Sequence, residues 1–214
     1  MTQTVLIADD HPLFRAAMRQ AVEQIWSDTA IIEVSNVAAA RQEIDKQLPL
    51  LLLLDLHMED SDGLSALLDF RQDFPAMAVA VVSASEESRV WQAARNLGAA
   101  AFIPKSAELG SMREALAAVR EGDIWFPEMD ATIDAAENEE LLRLASLTPA
   151  QRRILNHLTK GLLNKQIAYE MDISEATVKA HITAIFRKLG VVNRTQAVLV
   201  AGRLVVEQPV TASQ

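Results

Sequence analysis

Short apolar runs alternate with longer amphipathic stretches over the first 122 residues of the chain. Between the runs, hydrophobic residues recur at helical spacing, as at Leu13, Ala17, Ala21 and Ile25. Continuous apolar runs of four or five residues are typical of strands buried on both faces of a parallel sheet. The pattern therefore predicts an α/β fold, a doubly wound five-stranded parallel sheet with five helices. The predicted strands lie at 5–8, 30–34, 50–54, 78–82 and 100–103.

From Leu147 onward the pattern is helical throughout and predicts four helices. Thr148 and Gln151 form a capping box around Pro149, which suits a first helical position. The second and third of these helices are separated only by the Asp172-Ile173 turn, a spacing typical of a helix-turn-helix. Helix N-caps are predicted at Thr148, Asn164, Ser174 and Asn193.

In the first domain, Pro12 suits a helix start, Asp62-Gly63 marks a turn and Gly98 marks a helix end.

Composition narrows the class of protein. The 214 residues are 50% hydrophobic and 23% charged, as expected for a globular chain with a sizeable core. The absence of cysteine excludes disulfides, thiolate catalysis and cysteine-based zinc sites. The start has no basic region typical of a signal peptide, and no apolar run reaches the roughly 18 residues of a membrane span. We therefore expect a cytoplasmic protein that makes no contact with membranes.

The net charge of −9 is unevenly distributed along the chain. Residues 1–122 contain 18 acidic and 10 basic side chains, and residues 123–146 contain 7 and 1. Residues 147–214 reverse the balance, with 4 acidic and 9 basic side chains. The pattern predicts an acidic domain, an acidic linker that is helical over 135–144, and a basic domain whose partner is a polyanion.

Polar side chains follow several of the predicted strands at the point where each strand ends. Asp9 and Asp10 follow the first run, Asp55 the third, Ser83 the fourth, and Lys105 the fifth. Because the carboxyl ends of parallel strands meet at one edge of a sheet, we expect these groups to converge. Three clustered carboxylates repel one another and call for a hard cation such as Mg²⁺. With a lysine and a hydroxyl beside them, they suit a phosphoryl group, with Asp55 as the nucleophile that forms an acyl phosphate.

The helix predicted after Ser174 has two different faces. One face is apolar, with Val178, Ile182, Ile185 and Leu189 at helical spacing. The opposite face combines small residues with cations, which suits insertion into the major groove of DNA. A solvated helix in a bundle is the alternative interpretation. The second face contains Ala176, Lys179, Ala180, Thr183 and Arg187.

The strand-end residues make residues 1–122 resemble the receiver domain of two-component response regulators. The resemblance implies a flavodoxin-like sheet with strand order 2-1-3-4-5 and phosphorylation of Asp55 by a sensor histidine kinase. It also implies a Mg²⁺ site formed by Asp10, Asp55 and the backbone carbonyl of His57, with Asp9 acting through water. Ser83 would move toward the phosphoryl group while Phe102 rotates inward behind it.

Three features depart from the receiver pattern. Glu59 follows Met58 where the family has proline, and Asp60 adds a second acid near the metal. Pro104 precedes Lys105 instead of following it. Phe102 has no hydroxyl, so an inward switch must depend on packing.

The histidines at 11, 57, 157 and 181 show no metal-ligand spacing.

The segments NKQIA, ISEATVKAHI, KLGV and NRTQAV make the basic end resemble the four-helix DNA-binding domain of the NarL/LuxR type. The resemblance implies that Lys179, Ala180 and Thr183 contact bases, and that the last helix, 194–204, offers a dimer face. Phosphate contacts are expected from Ser174, Thr177, Lys165, Arg187 and Arg194. The domains expected are a receiver at 1–122, a linker at 123–146, the DNA-binding domain at 147–207 and a tail at 208–214.

These patterns together predict a DNA-binding response regulator that dimerises on operator half-sites of double-stranded DNA when phosphorylated. It is not expected to be an enzyme, apart from slow loss of phosphate from Asp55. One alternative is a phosphorylation-independent regulator controlled by a protein partner or by constitutive dimerisation. Another is an aspartyl-phosphate phosphatase of the haloacid-dehalogenase class, which needs a second acid where this chain has His57.

Overall fold

The computed structural model describes residues 3–61, 63–128 and 135–202, and side chains except those of 135–138. These residues form two compact units, one ending at 128 and one beginning at 135. Within the described ranges, no helix is long and apolar enough to cross a bilayer.

The first unit is built on a five-stranded parallel sheet with the order β2-β1-β3-β4-β5. The predicted α/β class and strand order are both confirmed. All five residues of β1 and all five of β3 are buried, because helices cover both faces of the sheet. The strands are β1 (Thr4–Ala8), β2 (Ala30–Val34), β3 (Leu51–Asp55), β4 (Ala78–Ser83) and β5 (Ala101–Pro104).

Five helices alternate with the strands, as predicted. Pro12 opens α1 at its first position, and Gly98, with a φ of 87°, follows Leu97, the C-cap of α4. Gly63, with a φ of 61°, precedes α3, whereas Asp62 lies outside the described residues. The helices are α1 (Pro12–Ile25), α2 (Val37–Lys46), α3 (Leu64–Asp73), α4 (Ser88–Asn96) and α5 (Leu109–Glu121).

The segment that the sequence marks as a linker is structured at its start. Trp125 pairs with Ala101 of β5, donating its N–H to Ala100 O at 3.0 Å and accepting from Phe102 N at 3.0 Å. At the other end, helix α6 (Ala135–Ala145) belongs to the second unit and packs against another of its helices. Both ends of 123–146 therefore belong to folded units, and the domain bounds expected above stay a prediction. The tail 208–214 lies outside the described residues.

Over the residues that the structure describes, the secondary structure of the second unit is entirely helical. The capping box of Thr148 and Gln151 is present, and Ser174 and Asn193 cap their helices by accepting from backbone N–H groups three residues on. The prediction that Asn164 caps a helix is wrong. Asn164 is the first helical residue, and Gln166 instead accepts from the N–H of Leu163 at 2.7 Å. The helices after α6 are α7 (Pro149–Thr159), α8 (Asn164–Met171), α9 (Glu175–Leu189) and α10 (Arg194–Ala201).

The turn between α8 and α9 has the predicted position. Asp172 adopts the left-handed conformation, with a φ of 53°, and ends α8 within three residues of the start of α9. Asp is among the non-glycine residues that tolerate this conformation best. The buried face of α9 contains Val178, Ile185 and Leu189, while Ile182 is only half-buried.

Candidate phosphoryl site and DNA-binding surface

The sheet brings the predicted acidic residues to one edge. Ala8 of β1 is in register with Leu54 of β3, so Asp9 and Asp55 end neighbouring strands at nearly the same level. Asp55 is fully buried, and Asp9 is 2% exposed. Asp10, one residue further along the loop, keeps 34% of its side chain exposed. Asp10 is thus the most exposed of the three carboxylates.

Lys105 neutralises part of this charge. Its Nζ lies 2.8 Å from Asp9 Oδ2 and 2.7 Å from Asp55 Oδ2, and only 13% of the side chain is exposed. The ammonium group also lies 5.0 Å from the centre of the Phe14 ring, within cation–π range. Lys105 directly follows β5, and its backbone N–H donates to Ser83 O at 2.8 Å. The predicted convergence of acid, hydroxyl and lysine is therefore present.

The surroundings of Asp55 hold it in the charged form. Burial raises the pKa of this carboxyl, but hydrogen bonds from His57 and Lys105 and the charge of Lys105 act in the opposite direction. The net effect is a pKa below the ordinary value of 3.8. Oδ1 accepts from the backbone N–H of His57 at 3.0 Å, and Oδ2 accepts from Lys105. Asp55 is therefore an oriented carboxylate at neutral pH, as a nucleophile requires.

The donor set fits a hard divalent cation. Asp9, Asp10, Asp55 and His11 each offer an atom within 4.8 Å of the others. Three carboxylates so close together suit an oxygen-preferring ion. His11 was not expected here, because the sequence showed no ligand spacing for histidine. Its Nδ1 lies 2.6 Å from Asp10 Oδ1 and 3.3 Å from Lys105 Nζ, so a strand-end turn places it in the cluster.

Ser83 lies fully buried at the end of β4, beside the acidic cluster. Its Oγ is 3.2 Å from Nδ1 of His57 and accepts from the backbone N–H of Ser85 at 3.2 Å. The resemblance to receiver domains implied a role for the backbone carbonyl of His57 but none for its side chain. That side chain is 7% exposed, with Nδ1 3.7 Å from Asp55 Oδ1.

Phe102 is fully buried in this structure. The ring centre lies 6.0 Å from that of Trp91. The indole N–H of Trp91 donates to Ser85 O at 3.0 Å, which links the ring pair to the loop after Ser83. The inward rotation expected for Phe102 stays a prediction.

Asp60, one of the two extra acids after Met58, is engaged with a helix. Its Oδ1 accepts from Val37 N at 2.8 Å and its Oδ2 from Ala38 N at 3.0 Å. A carboxylate at a helix N-terminus satisfies unpaired N–H groups and complements the helix dipole. Glu59 is exposed. A groove of about 650 Å³ between this loop and α2 is lined by both acids together with Asp10.

The face of α9 opposite its buried side is open to solvent. Lys179, Ala180 and Thr183, the expected base contacts, are all exposed. The hydroxyl of Thr183 donates to Lys179 O at 3.0 Å, so it is held against its own helix. The face combines two short side chains with one cation, as close approach to base edges requires.

Four of the five residues expected to contact phosphates are exposed, namely Ser174, Thr177, Lys165 and Arg187. Ser174 and Thr177 share a hydrogen bond of 2.9 Å between their hydroxyls at the start of α9. Arg194 differs from the expectation. Its Nη2 donates to Leu158 O at 3.0 Å and to Leu162 O at 2.9 Å, so its guanidinium caps the carboxyl end of α7.

Two family models match the chain. Residues 5–117 match the response regulator receiver domain, and residues 145–201 match the bacterial regulatory proteins of the luxR family. The chain is 38% identical over 210 residues to a glycerol metabolism activator of Pseudomonas putida, covering 92% of this chain and 94% of the relative. It is 30% identical over 199 residues to the nitrate/nitrite response regulator protein NarL of Escherichia coli strain K12, covering 91% and 92%.

Solved structures agree on the fold. RcsB of Salmonella enterica serovar Typhimurium, bound to the promoter P1flhDC in the presence of the phosphomimetic BeF3⁻, aligns with a TM-score of 0.56 at 22% identity. That alignment covers 95% of this chain and 100% of RcsB. The isolated receiver domain of RcsB aligns with a TM-score of 0.55 at 25% identity, covering 60% of this chain and 95% of that domain. The chain therefore belongs to the two-component response regulators that join a receiver domain to a LuxR-type DNA-binding domain.

Proposed function

We propose that Asp55 accepts a phosphoryl group from a sensor histidine kinase and that this controls binding of the second domain to DNA. The observation that carries the proposal is the buried carboxylate of Asp55, which ends β3 and is held by Lys105 within an acidic cluster. A carboxylate that is buried, charged and oriented is suited to in-line attack on phosphorus.

In the proposed transfer, an oxygen of Asp55 forms a bond to phosphorus while the bond from phosphorus to the donor's imidazole nitrogen breaks. Lys105 stabilises the charge on the phosphoryl oxygens, since its Nζ is already 2.7 Å from Asp55. Mg²⁺, held by Asp10, Asp55 and the backbone carbonyl of His57 with help from Asp9, would supply further neutralisation of those oxygens. Slow hydrolysis of the acyl phosphate would reset the site.

In the proposed DNA complex, α9 enters the major groove with Lys179, Ala180 and Thr183 toward the bases. Ser174, Thr177, Lys165 and Arg187 contact phosphates, and Arg194 acts mainly by holding α7. Two copies bind paired half-sites of the operator. Leu199 of α10 is 69% exposed, which supports this helix as the face on which the copies meet.

The first experiment measures the intact mass of the full chain after incubation with acetyl phosphate and Mg²⁺. We expect a gain of one phosphoryl group in the wild-type protein and none in Asp55→Asn, followed by tighter binding to operator DNA. A folded wild-type protein that gains no mass would overturn the proposal. That result would favour a phosphorylation-independent regulator. Asp60 gives that alternative no support, because its carboxylate accepts a hydrogen bond from the start of α2.

A further inference from the structure

The hydroxyl of Ser83 is already engaged in this structure. Its oxygen lies 3.2 Å from Nδ1 of His57 and accepts from the N–H of Ser85. A serine hydroxyl has a single proton to donate. Because Ser83 is fully buried and the His57 side chain is nearly so, water competes little for this hydrogen bond.

We propose that His57 is a positioning residue whose imidazole, in the tautomer with its proton on Nε2, accepts the Ser83 hydroxyl proton at Nδ1 and holds it in a resting position. The inference rests on the proposed phosphorylation of Asp55. A phosphoryl group there would need the same proton as a donor, so the two acceptors compete for it. Nδ1 of His57 is 3.7 Å from Asp55 Oδ1, which places the competing acceptor beside the carboxylate that would carry the phosphoryl group.

Loss of the imidazole has a predictable direction. The buried Ser83 hydroxyl would have no acceptor in the resting state, and leaving a buried donor unpaired is costly. A phosphoryl group or its mimic would then restore the missing hydrogen bond and would bind more tightly. The backbone N–H of His57, which donates to Asp55 at 3.0 Å, is retained in any side-chain variant.

The test measures the affinity of the full-length chain for beryllofluoride by ¹⁹F NMR at a fixed, saturating concentration of Mg²⁺. We expect His57→Leu to bind about two- to tenfold more tightly than the wild-type protein, the worth of one hydrogen bond. His57→Asn, whose side-chain oxygen can occupy the position of Nδ1, is expected to stay within about twofold of wild type. Melting temperatures of all variants report folding, and His57→Met is a second apolar variant should His57→Leu fail to fold.

The coupling to Ser83 separates this role from a merely structural one. In a Ser83→Ala background, His57→Leu should no longer change the affinity, because the shared proton is gone. An equal effect of His57→Leu with and without Ser83, or no effect with Ser83 present, would overturn the inference. Asp55→Asn is the control for the underlying function. If the wild-type protein binds beryllofluoride no better than this variant, then the proposed phosphoryl site itself is wrong.

Discussion

The buried anion of Asp55 is stabilised by groups that lie at the ends of three different strands. Lys105 compensates its charge, the backbone of His57 orients one oxygen, and Asp9 shares the lysine. Burying such a carboxylate without these partners would cost several kcal/mol. The charge state of this one side chain therefore depends on the sheet being correctly formed, which links the stability of the fold to the chemistry of the site.

This linkage predicts a pH dependence of stability. Because the pKa of Asp55 is lowered by folding, its contribution to the free energy of unfolding is fully present above its ordinary pKa of 3.8. The contribution is lost as the pH falls through the lower folded pKa. We expect the free energy of unfolding to fall more steeply below pH 3.8 in the wild-type protein than in Asp55→Asn. Urea denaturation at several pH values measures both slopes, and parallel slopes would contradict this assignment.

The types of residue at the site could be predicted from sequence, but their pairings could not. Acidic, hydroxyl and lysine side chains follow apolar runs, and that order is visible along the chain. The sequence did not reveal the hydrogen bond between His57 and Ser83, the position of His11 in the cluster or the capping of α7 by Arg194. All three depend on side-chain rotamers. The first and the last also join residues that are 26 and 36 positions apart in the chain. No local pattern encodes such contacts.

At the scale of elements, short connections between units of secondary structure do much of the positioning. The loop after β3 reaches across to the start of α2 through Asp60, while Asn36 caps the same helix by accepting from Ala39 N at 2.7 Å. The departure from the family's proline at position 59 is thus accompanied by a different restraint on the loop. Two backbone hydrogen bonds to a carboxylate anchor the loop that contains the His57 carbonyl.

We expect Asp60→Ala to lower the free energy of unfolding by about 1 kcal/mol, since it removes the carboxylate from a helix N-terminus. The variant should also need a higher Mg²⁺ concentration for phosphorylation, because the loop loses its anchor. Glu59→Ala is the matched control, as it removes an exposed acid from the neighbouring position. A Glu59→Ala effect as large as that of Asp60→Ala would point to charge alone.

The start of α9 allows capping and DNA contact to be separated. Ser174→Ala should lower the free energy of unfolding of the DNA-binding domain by about 1 kcal/mol, because Thr177 N loses its acceptor. Ser174→Asp keeps a cap and should preserve stability, yet it places a negative charge where a DNA phosphate is expected. We therefore expect Ser174→Asp to bind operator DNA much more weakly while melting at the wild-type temperature. Unimpaired binding by this variant would remove Ser174 from the phosphate contacts.

The boundaries of the elements were largely predictable, since each strand begins and ends within about one residue of its apolar run. The start of α8 was not, because an asparagine at a helix start favours capping in general and Leu163 has no capping oxygen. Its N–H is satisfied by Gln166 from inside the helix instead. The pairing of Trp125 with β5 was also missed, since an isolated bridge leaves no periodic pattern.

At the scale of the whole molecule, the charge of the chain is divided between its domains. Residues 1–122 and 123–146 each have a negative net charge. Residues 147–214, which contain the DNA-binding domain, have a positive net charge. Counter-ion release from DNA then makes binding depend on salt in proportion to the number of phosphates contacted. The acidic receiver opposes non-specific binding of the same chain to DNA.

We expect Lys165→Ala and Arg187→Ala each to reduce the slope of log K against log salt concentration by about 0.9. Thr183→Val should leave the slope unchanged and alter the preference among operator sequences, since Thr183 is expected at base edges. Lys46→Ala, which removes an exposed lysine from the receiver, controls for the change in net charge. Fluorescence anisotropy with labelled operator DNA at several salt concentrations measures these slopes. A Lys46→Ala slope as reduced as that of Lys165→Ala would contradict the assignment.

The carboxyl end of α9 is held by Arg143, which precedes the segment matched by the luxR family, and by Ser146 at the start of that segment. Arg143 of α6 donates to Leu189 O at 3.3 Å, and Lys188 donates to Ser146 O at 2.7 Å. An autonomous DNA-binding fragment of this protein should therefore begin before residue 135. A fragment that starts at Leu147 retains the exposed face of α9 that is expected to contact bases, but it lacks the helix that secures the last turn of α9. We expect the shorter fragment to melt at a lower temperature than the longer one, which makes α6 part of the minimal folding unit.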